Sequence, residues 1–403
     1  KLTELSNDVS LNPELFARVK AVYEGSRRGL SDVDVKLLED TYKSFARSGA
    51  ALDEAKKEEY RKYTAALSEA TLKFGNNALA ATNAFSIHIT TPAQVAELPS
   101  FVKDGMAAEA KARGQQGWTV TLQAPSYVPF MTYSSQRDIK ERLYRAYNSR
   151  ALGGDFDNSA NILRITELRL KIANLLGYKC YSDYVLEDRM AESTKTVNNF
   201  LAQLNKATLS YAKKDVADIT AYAKSLGFEG ELMPWDFSYY NEKYKEAMYS
   251  INDEQIKPYL QLENAKEAVF MLAGKLYGLT FTQVNNIETY HPEATVYEVR
   301  DDKGELMAIL YMDFFPRESK RQGAWMTEFR GVKVKDGVEQ RPLVQLVMNF
   351  TKPTANTPSL LTFDEFTTFL HEFGHGLHGI LAQGKYESIN GTSVKRDFVE
   401  LPS

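Results

Sequence analysis

Residues 359–384 read SLLTFDEFTTFLHEFGHGLHGILAQG, and their reading decides the fold, because they form a helix with chemistry along one side. Thr362, followed three residues later by Glu365, makes a capping box, in which two backbone N–H groups orphaned at a helix start are satisfied reciprocally. Leu361 and Phe366 flank the box at the spacing of a hydrophobic staple. Gly384 is the residue type that takes the left-handed conformation after a last turn, so the spacing predicts a helix that stops at Gly384. At about 100° per residue with Phe363 at the origin, Phe366, Leu370, Phe373, Leu377, Ile380 and Leu381 fall within roughly one 100° arc, a continuous apolar face. His371, His375 and His378 form a separate stripe that also holds Asp364, and Glu372 lies beside the histidines, away from the apolar face.

HEFGH is an H-E-x-x-H match. Imidazoles at i and i+4 share one helix face and converge on a single tetrahedral zinc, while the glutamate between them is placed to act as general base on water. Three of the five histidines of the chain lie between His371 and His378. A catalytic zinc needs a third protein ligand and one open position. After the Gly384 break the chain reads SINGTSVKRDFVELPS (388–403). Thr392 or Ser393 can cap a short helix carrying Asp397 and Glu400, and Glu400 docked beside the histidine stripe would complete a His₂Glu site. On the residues alone, a surface pair in a charged turn reads equally well. His378 and Asp397, each one turn from a candidate ligand, are expected to support ligand orientation.

HEFGHGLHG (371–379) followed by NGTSVKRDFVELPS (390–403) resembles the thimet oligopeptidase family of zinc metallopeptidases, and within it the bacterial peptidyl-dipeptidase (dipeptidyl carboxypeptidase) branch. LLGYKCYSDYVLEDRMAES (175–193), MPWDFSYY (233–240), YMDFFPRESKRQGAW (311–325) and LVMNFTKP (346–353) look like segments of the same family in the family order. The resemblance implies a mostly α, multi-helix zincin-like fold in which His371, His375 and Glu400 bind one zinc per chain and Glu372 is the general base. It further implies oligopeptide substrates, release of C-terminal dipeptides, a monomer and a bacterial cytoplasmic setting. An endo-acting oligopeptidase of the same family is one alternative. A non-catalytic helical peptide-binding scaffold with a vestigial metal site is another, disfavoured because a binding site has no need of Glu372. Family members continue beyond the third ligand, whereas this chain runs from Lys1 to Ser403, so an internal fragment is expected. Such a fragment would hold zinc weakly or not at all and hydrolyse peptides slowly, since Glu400 lies near a chain end where fraying is expected.

Composition agrees with a globular protein: 403 residues, 43% hydrophobic and 25% charged, with a formal net charge of −4. A chain of this length can bury a large core. Charge is mixed and lacks a basic block, so nucleic acid and anionic membrane surfaces are poor partners. No apolar run is long enough to span a bilayer. The single cysteine, Cys180, excludes an internal disulfide framework and fits a reducing compartment.

The chain divides into an N-terminal helical region (1–130) and a catalytic region (131–403) truncated after the third ligand. In the first, Ser31 caps a helix that stops at Gly49, and 53–85 reads as a long helix with Gly75 as an interruption. SIHIT (86–90) and WTVTLQAPSY (118–127) alternate as separated strands of a small hairpin around Gly117, with His88 structural. In the second, Ser134 or Ser135 caps a helix that stops at Gly153 and Gly154, further helices end at Gly177, Gly227 and Gly278, and Trp235 with its paired tyrosines is expected to pack between helices. TVYEVRD (295–301), LMAILYMDFF (306–315), FRGVKVKDG (329–337) and PLVQLVMNF (342–350) have strand composition and predict a small antiparallel sheet before the zinc helix. Leu343 to Phe350 is the candidate edge strand for binding a substrate backbone, and a sheet that only props the helix reads equally well. Asp313, Arg317, Glu318 and Lys320 crowd one turn and read as surface ion pairs.

Overall fold

The computed structural model describes every residue of the chain except Asn356 and the side chain of Asp253. Four helices open it: α1 (Leu2–Ser10), α2 (Pro13–Glu24), α3 (Asp32–Arg47) and α4 (Glu54–Ala84). The start of α3 follows the sequence, with Ser31 and Asp34 in a reciprocal capping box, and Gly49 takes a left-handed φ of 85° after it. The expected break at Gly75 is absent, since α4 runs unbroken for 31 residues. One glycine costs a helix only about 1 kcal/mol, and packing of α4 on a later helix outweighs that.

Strands β1 (Ser86–Ile89) and β2 (Trp118–Thr121) pair antiparallel, with α5 (Ser100–Ala112) between them in sequence. Gly117 (φ 94°) precedes β2, and a Cβ there would lie 2.6 Å from the Ile89 carbonyl oxygen, so only glycine fits. His88 bonds Thr119 within this pair, at 3.2 Å, as a structural histidine. Helices α6 (Ala124–Tyr133), α7 (Arg137–Asn148), α8 (Ser159–Leu175), α9 (Tyr181–Leu186), α10 (Thr194–Ser225), α11 (Pro234–Tyr249), α12 (Asp253–Ile256) and α13 (Leu262–Tyr277) follow. α7 ends at Asn148, short of Gly153, and Ser134 accepts from the Gln136 N–H instead of capping it. α4 packs against α8. Trp235 is buried beside Tyr144 with Arg137 and Arg145 near its ring, a packing role as expected.

The main sheet is built from β3 (Thr280–Val284), β4 (Thr295–Arg300), β5 (Leu306–Asp313), β6 (Trp325–Arg330) and β9 (Leu343–Val347), with a β7 (Lys333–Lys335) and β8 (Val338–Gln340) hairpin apart from it. Its order is β3-β4-β5-β9-β6. The expectation of an antiparallel sheet with 343–350 at its edge is corrected on two points. β9 inserts between β5 and β6, pairing parallel with one and antiparallel with the other, so it is interior and β6 is the edge on that side. Val344, Leu346, Met348 and Phe350 enter the core while Leu343, Gln345 and Asn349 stay half-buried, so the segment alternates as a strand with one face on the core does, and its interior place comes from the partners on its two edges.

Helix α14 (Phe363–Ile380) lies against β9 and β6. Phe369, Phe373 and Ile380 from the helix join Leu310, Met312, Phe314, Leu346 and Phe350 in one buried core. Among the described residues no helix is long and apolar enough to cross a membrane.

The charged turn after β5 is not at the surface. Asp313 and Lys320 are buried, and Asp313 accepts from Arg317 twice at 2.9 Å, from Lys320 at 2.8 Å and from the Tyr290 hydroxyl at 2.9 Å. Burial alone would raise the Asp313 carboxyl, but Arg317 and Lys320 hold it below the ordinary carboxylate range. A carboxylate at the end of a central strand is desolvated by the sheet around it and persists only with such partners. Glu318 stays out of the cluster and contributes its carbonyl to Asn83.

Candidate metal centre

The helix that carries the histidines begins as its sequence demands. Thr362 Oγ1 accepts from the Glu365 N–H at 3.0 Å, and Glu365 accepts from the Thr362 N–H at 2.9 Å. Glu365 also takes the Thr351 N–H at 2.8 Å, so the cap ties α14 to the chain leaving β9. Leu361 is fully buried and Phe366 packs on the same core, completing the staple. The far end differs from expectation. α14 stops at Ile380 with Leu381 right-handed, and Gly384 plays no capping role. Arg341 ends the helix instead, donating to the Ile380 carbonyl at 2.8 Å and the Ala382 carbonyl at 3.3 Å, which satisfies acceptors that a last turn leaves open.

Three glycines let other chain segments approach the helix. A Cβ at Gly376 would press on Leu346 of β9, and one at Gly379 would lie 2.7 Å from Glu328 Oε1 and 2.8 Å from Met326 Cε, both on β6. A Cβ at Gly374 would lie 2.6 Å from the Ser403 Cα. Each glycine weakens the helix by about 1 kcal/mol relative to alanine. In return the helix sits close on the sheet and receives the 391–403 segment on another side. The apolar face is as expected except that Leu370 is 36% exposed and Phe369, just outside the predicted arc, is fully buried.

His371, His375 and Glu400 come together. Glu400 Oε2 lies 3.2 Å from His371 Nε2 and 3.1 Å from His375 Nε2, and the two rings stand edge to face with centroids 4.8 Å apart. One donor atom from each residue lies within 4.8 Å of the others, the cluster among the described residues that could hold a metal ion. Two imidazole nitrogens and one carboxylate oxygen, from groups that face one another on the open side of a helix, are the donor set that zinc takes when a fourth position is left open. His375 is buried, while the His371 side chain is 44% exposed and that of Glu400 65%. The short helix expected to carry Glu400 is absent, because residues 391–401 form successive turns.

Glu372 is buried, and its Oε2 accepts from no group among the described residues. Burial pushes its carboxyl above the ordinary range; His371 opposes this in part and Glu400 adds to it. A desolvated carboxylate with an unused oxygen, one residue from the first histidine, is chemically fitted to accept a proton. His375 Nδ1 is likewise without a partner among the described residues.

The two supporting residues expected from sequence behave differently. His378 makes no hydrogen bond to a ligand among the described residues; it lines a cavity of about 360 Å³ with Tyr277, Asn390 and Pro402, and burial, then His375, lowers its pKa. Asp397 makes no hydrogen bond to a candidate ligand among the described residues and accepts the Met190 and Ala191 N–H groups at 3.0 Å each. Arg341, Glu365's bond to Thr351 and the Asp397 contacts were not legible in sequence, since each joins residues that no local pattern relates.

A model of Peptidase family M3 matches residues 130–403. Oligopeptidase A of Salmonella typhimurium is 36% identical over 410 residues, which cover 100% of this chain and 60% of that protein. Dipeptidyl carboxypeptidase of Escherichia coli is 33% identical, again over 100% of this chain and 60% of its own. Thimet-like oligopeptidase of Dictyostelium discoideum is 28% identical over 93% of this chain and 56% of that protein. The chain thus spans about 60% of the length of the curated relatives it matches. The match takes in the main sheet, α14 and the Glu400 segment together, and the family read from HEFGHGLHG and RDFVE is the one returned: the chain belongs to peptidase family M3.

Proposed function

We propose that His371, His375 and Glu400 hold one zinc ion and that Glu372 serves as general base in the hydrolysis of peptide bonds in oligopeptides. The observation that carries the reading is the approach of Glu400 Oε2 to within 3.2 Å of both Nε2 atoms, beside a buried carboxylate with a free oxygen. When bound, such an ion polarises a carbonyl and makes water acidic near neutral pH.

The chain's own residues supply the rest. The capping box and the Phe369–Phe373 core fix the rotation of α14, so both imidazoles present the same face. Glu372 takes a proton from the attacking water and returns it to the leaving amine, a role suited to a carboxylate whose pKa burial has raised. The division at about residue 130 belongs to the same proposal, with the N-terminal helices framing the catalytic region through bonds such as Lys385 and Tyr386 to Asp34 of α3.

Two modes of cleavage fit a member of this family. Release of C-terminal dipeptides follows the relatives named dipeptidyl carboxypeptidase, and internal cleavage is the alternative left standing by a comparable identity, 36% against 33%, to relatives named only oligopeptidase A. The test is to assay the zinc-loaded full-length protein on one short peptide with a free and with an amidated C-terminus, identifying products by mass. Dipeptide release from the free peptide alone supports the first mode, and equal internal cleavage of both supports the second. No hydrolysis of either, with zinc shown to be bound, would sink the catalytic reading.

A further inference from the structure

The segment that bears Glu400 has no helix of its own, so its position must be set by something other than helical hydrogen bonds. Around Glu400 the backbone bonds among the described residues are turn bonds, from Phe398 and Val399 to the Lys395 carbonyl and from Leu401 to the Phe398 carbonyl, and beyond it Ser403 lies close against Gly374 of α14. Asp397 is the side chain of this segment that reaches a distant element through both of its oxygens. Oδ1 accepts the Met190 N–H and Oδ2 the Ala191 N–H, each at 3.0 Å. Lys395 pairs with Asp188 in the same distant turn.

That turn is firmly held. Glu192 takes a left-handed φ of 58°, a conformation that side chains other than glycine adopt only where surroundings enforce it. Ser193 caps α10 directly after it. On the other side, Arg47 of α3 donates to the Tyr184 carbonyl at 2.6 Å, lies 4.5 Å from the centre of the Tyr184 ring and pairs with Glu187. Two backbone N–H groups on one carboxylate give charge-assisted, directional bonds that fix the acceptor in rotation as well as distance.

We propose that Asp397 is a positioning residue of the metal centre: by gripping the Met190 and Ala191 amides it fixes the turn that presents Glu400 to His371 and His375. The inference rests on the reading of Glu400 as a ligand. Its consequence is that the third ligand takes its position from the α9–α10 junction, and through Arg47 from α3, while the two histidines take theirs from α14. A shift of α10 against α14 would draw Glu400 off the histidines.

The test compares Asp397→Asn, Asp397→Ala and Glu400→Gln with the unaltered protein. In metal-free protein, amide exchange across 395–403 should rise in both Asp397 variants while α14 stays protected. Cobalt affinity, measured by competition with a chelator, should fall about 10–100-fold in Asp397→Ala. It should fall less in Asp397→Asn, which keeps one acceptor, and most in Glu400→Gln. The visible absorption of bound cobalt should weaken in the same order. Wild-type affinity in both Asp397 variants, with a loss in Glu400→Gln, would overturn this inference alone. Exchange rising throughout the chain would also overturn it, by making Asp397 a support of the fold in general. Failure of the unaltered protein to take up cobalt would overturn the ligand reading and this inference with it.

Discussion

Helix α14 and the 391–403 segment meet at one cluster of donors, yet each is put there by a different kind of force. On α14 the spacing of His371 and His375 follows from 3.6 residues per turn, and the helix is fixed by a reciprocal cap and by Phe369 and Phe373 in the core. Glu400 sits in turns and depends on long-range bonds from Asp397 and Lys395, over 200 residues apart in sequence from their partners. A periodic element sets geometry locally, whereas a turn must borrow it. The histidine pair should therefore tolerate loss of distant contacts that the carboxylate does not.

Four outcomes would break or sharpen this contrast. Glu372→Gln keeps the shape of α14 and removes the proposed base, so turnover should drop about 10²–10⁴-fold with metal still bound; near-normal hydrolysis would mean that another group takes the proton. His375→Ala should lower metal affinity by more than the roughly 100-fold that loss of a supporting partner costs, and titration with a competing chelator measures it. Phe369→Ala leaves every ligand in place and should cost about 3–5 kcal/mol of stability by denaturant unfolding. A value near zero would show that the helix is held elsewhere. Thr362→Ala removes half of the capping box and should cost about 1 kcal/mol.

The smallest effect is expected in acid. The Met190 N–H, with that of Ala191, holds the Asp397 carboxyl below its ordinary value of 3.8. A carboxylate depressed in the folded state contributes fully above its unfolded pKa and loses that contribution as pH falls through the folded one. Amide exchange of 395–403, corrected for intrinsic rate, should thus rise as pH drops below 3.8 while that of the α14 core does not. Parallel loss of protection in both would erase the distinction between the two regions.

The same distinction explains what could be read before the fold was seen. The cap at Thr362, the histidine stripe and most of the apolar face are local and periodic, and all were legible. Phe369 was missed because the arc was drawn one residue too narrow. The stop at Ile380 depends on Arg341, and the interior place of β9 depends on which strand returns beside it; neither is written within the segment concerned. Glu400 was marked by its resemblance to RDFVE, while spacing alone left it level with a surface pair. Asp313 looked like a surface charge because a sequence does not show which turn the sheet will bury.

Zinc titration of the metal-free protein, set beside His371→Ala, His375→Ala and Glu400→Gln, tests the central claim most directly. The account predicts one zinc per chain in the unaltered full-length protein, with affinity reduced in all three variants and most in the histidine ones. Zinc bound with unaltered affinity after any two of these changes would show that the metal, if the protein uses one, is held elsewhere.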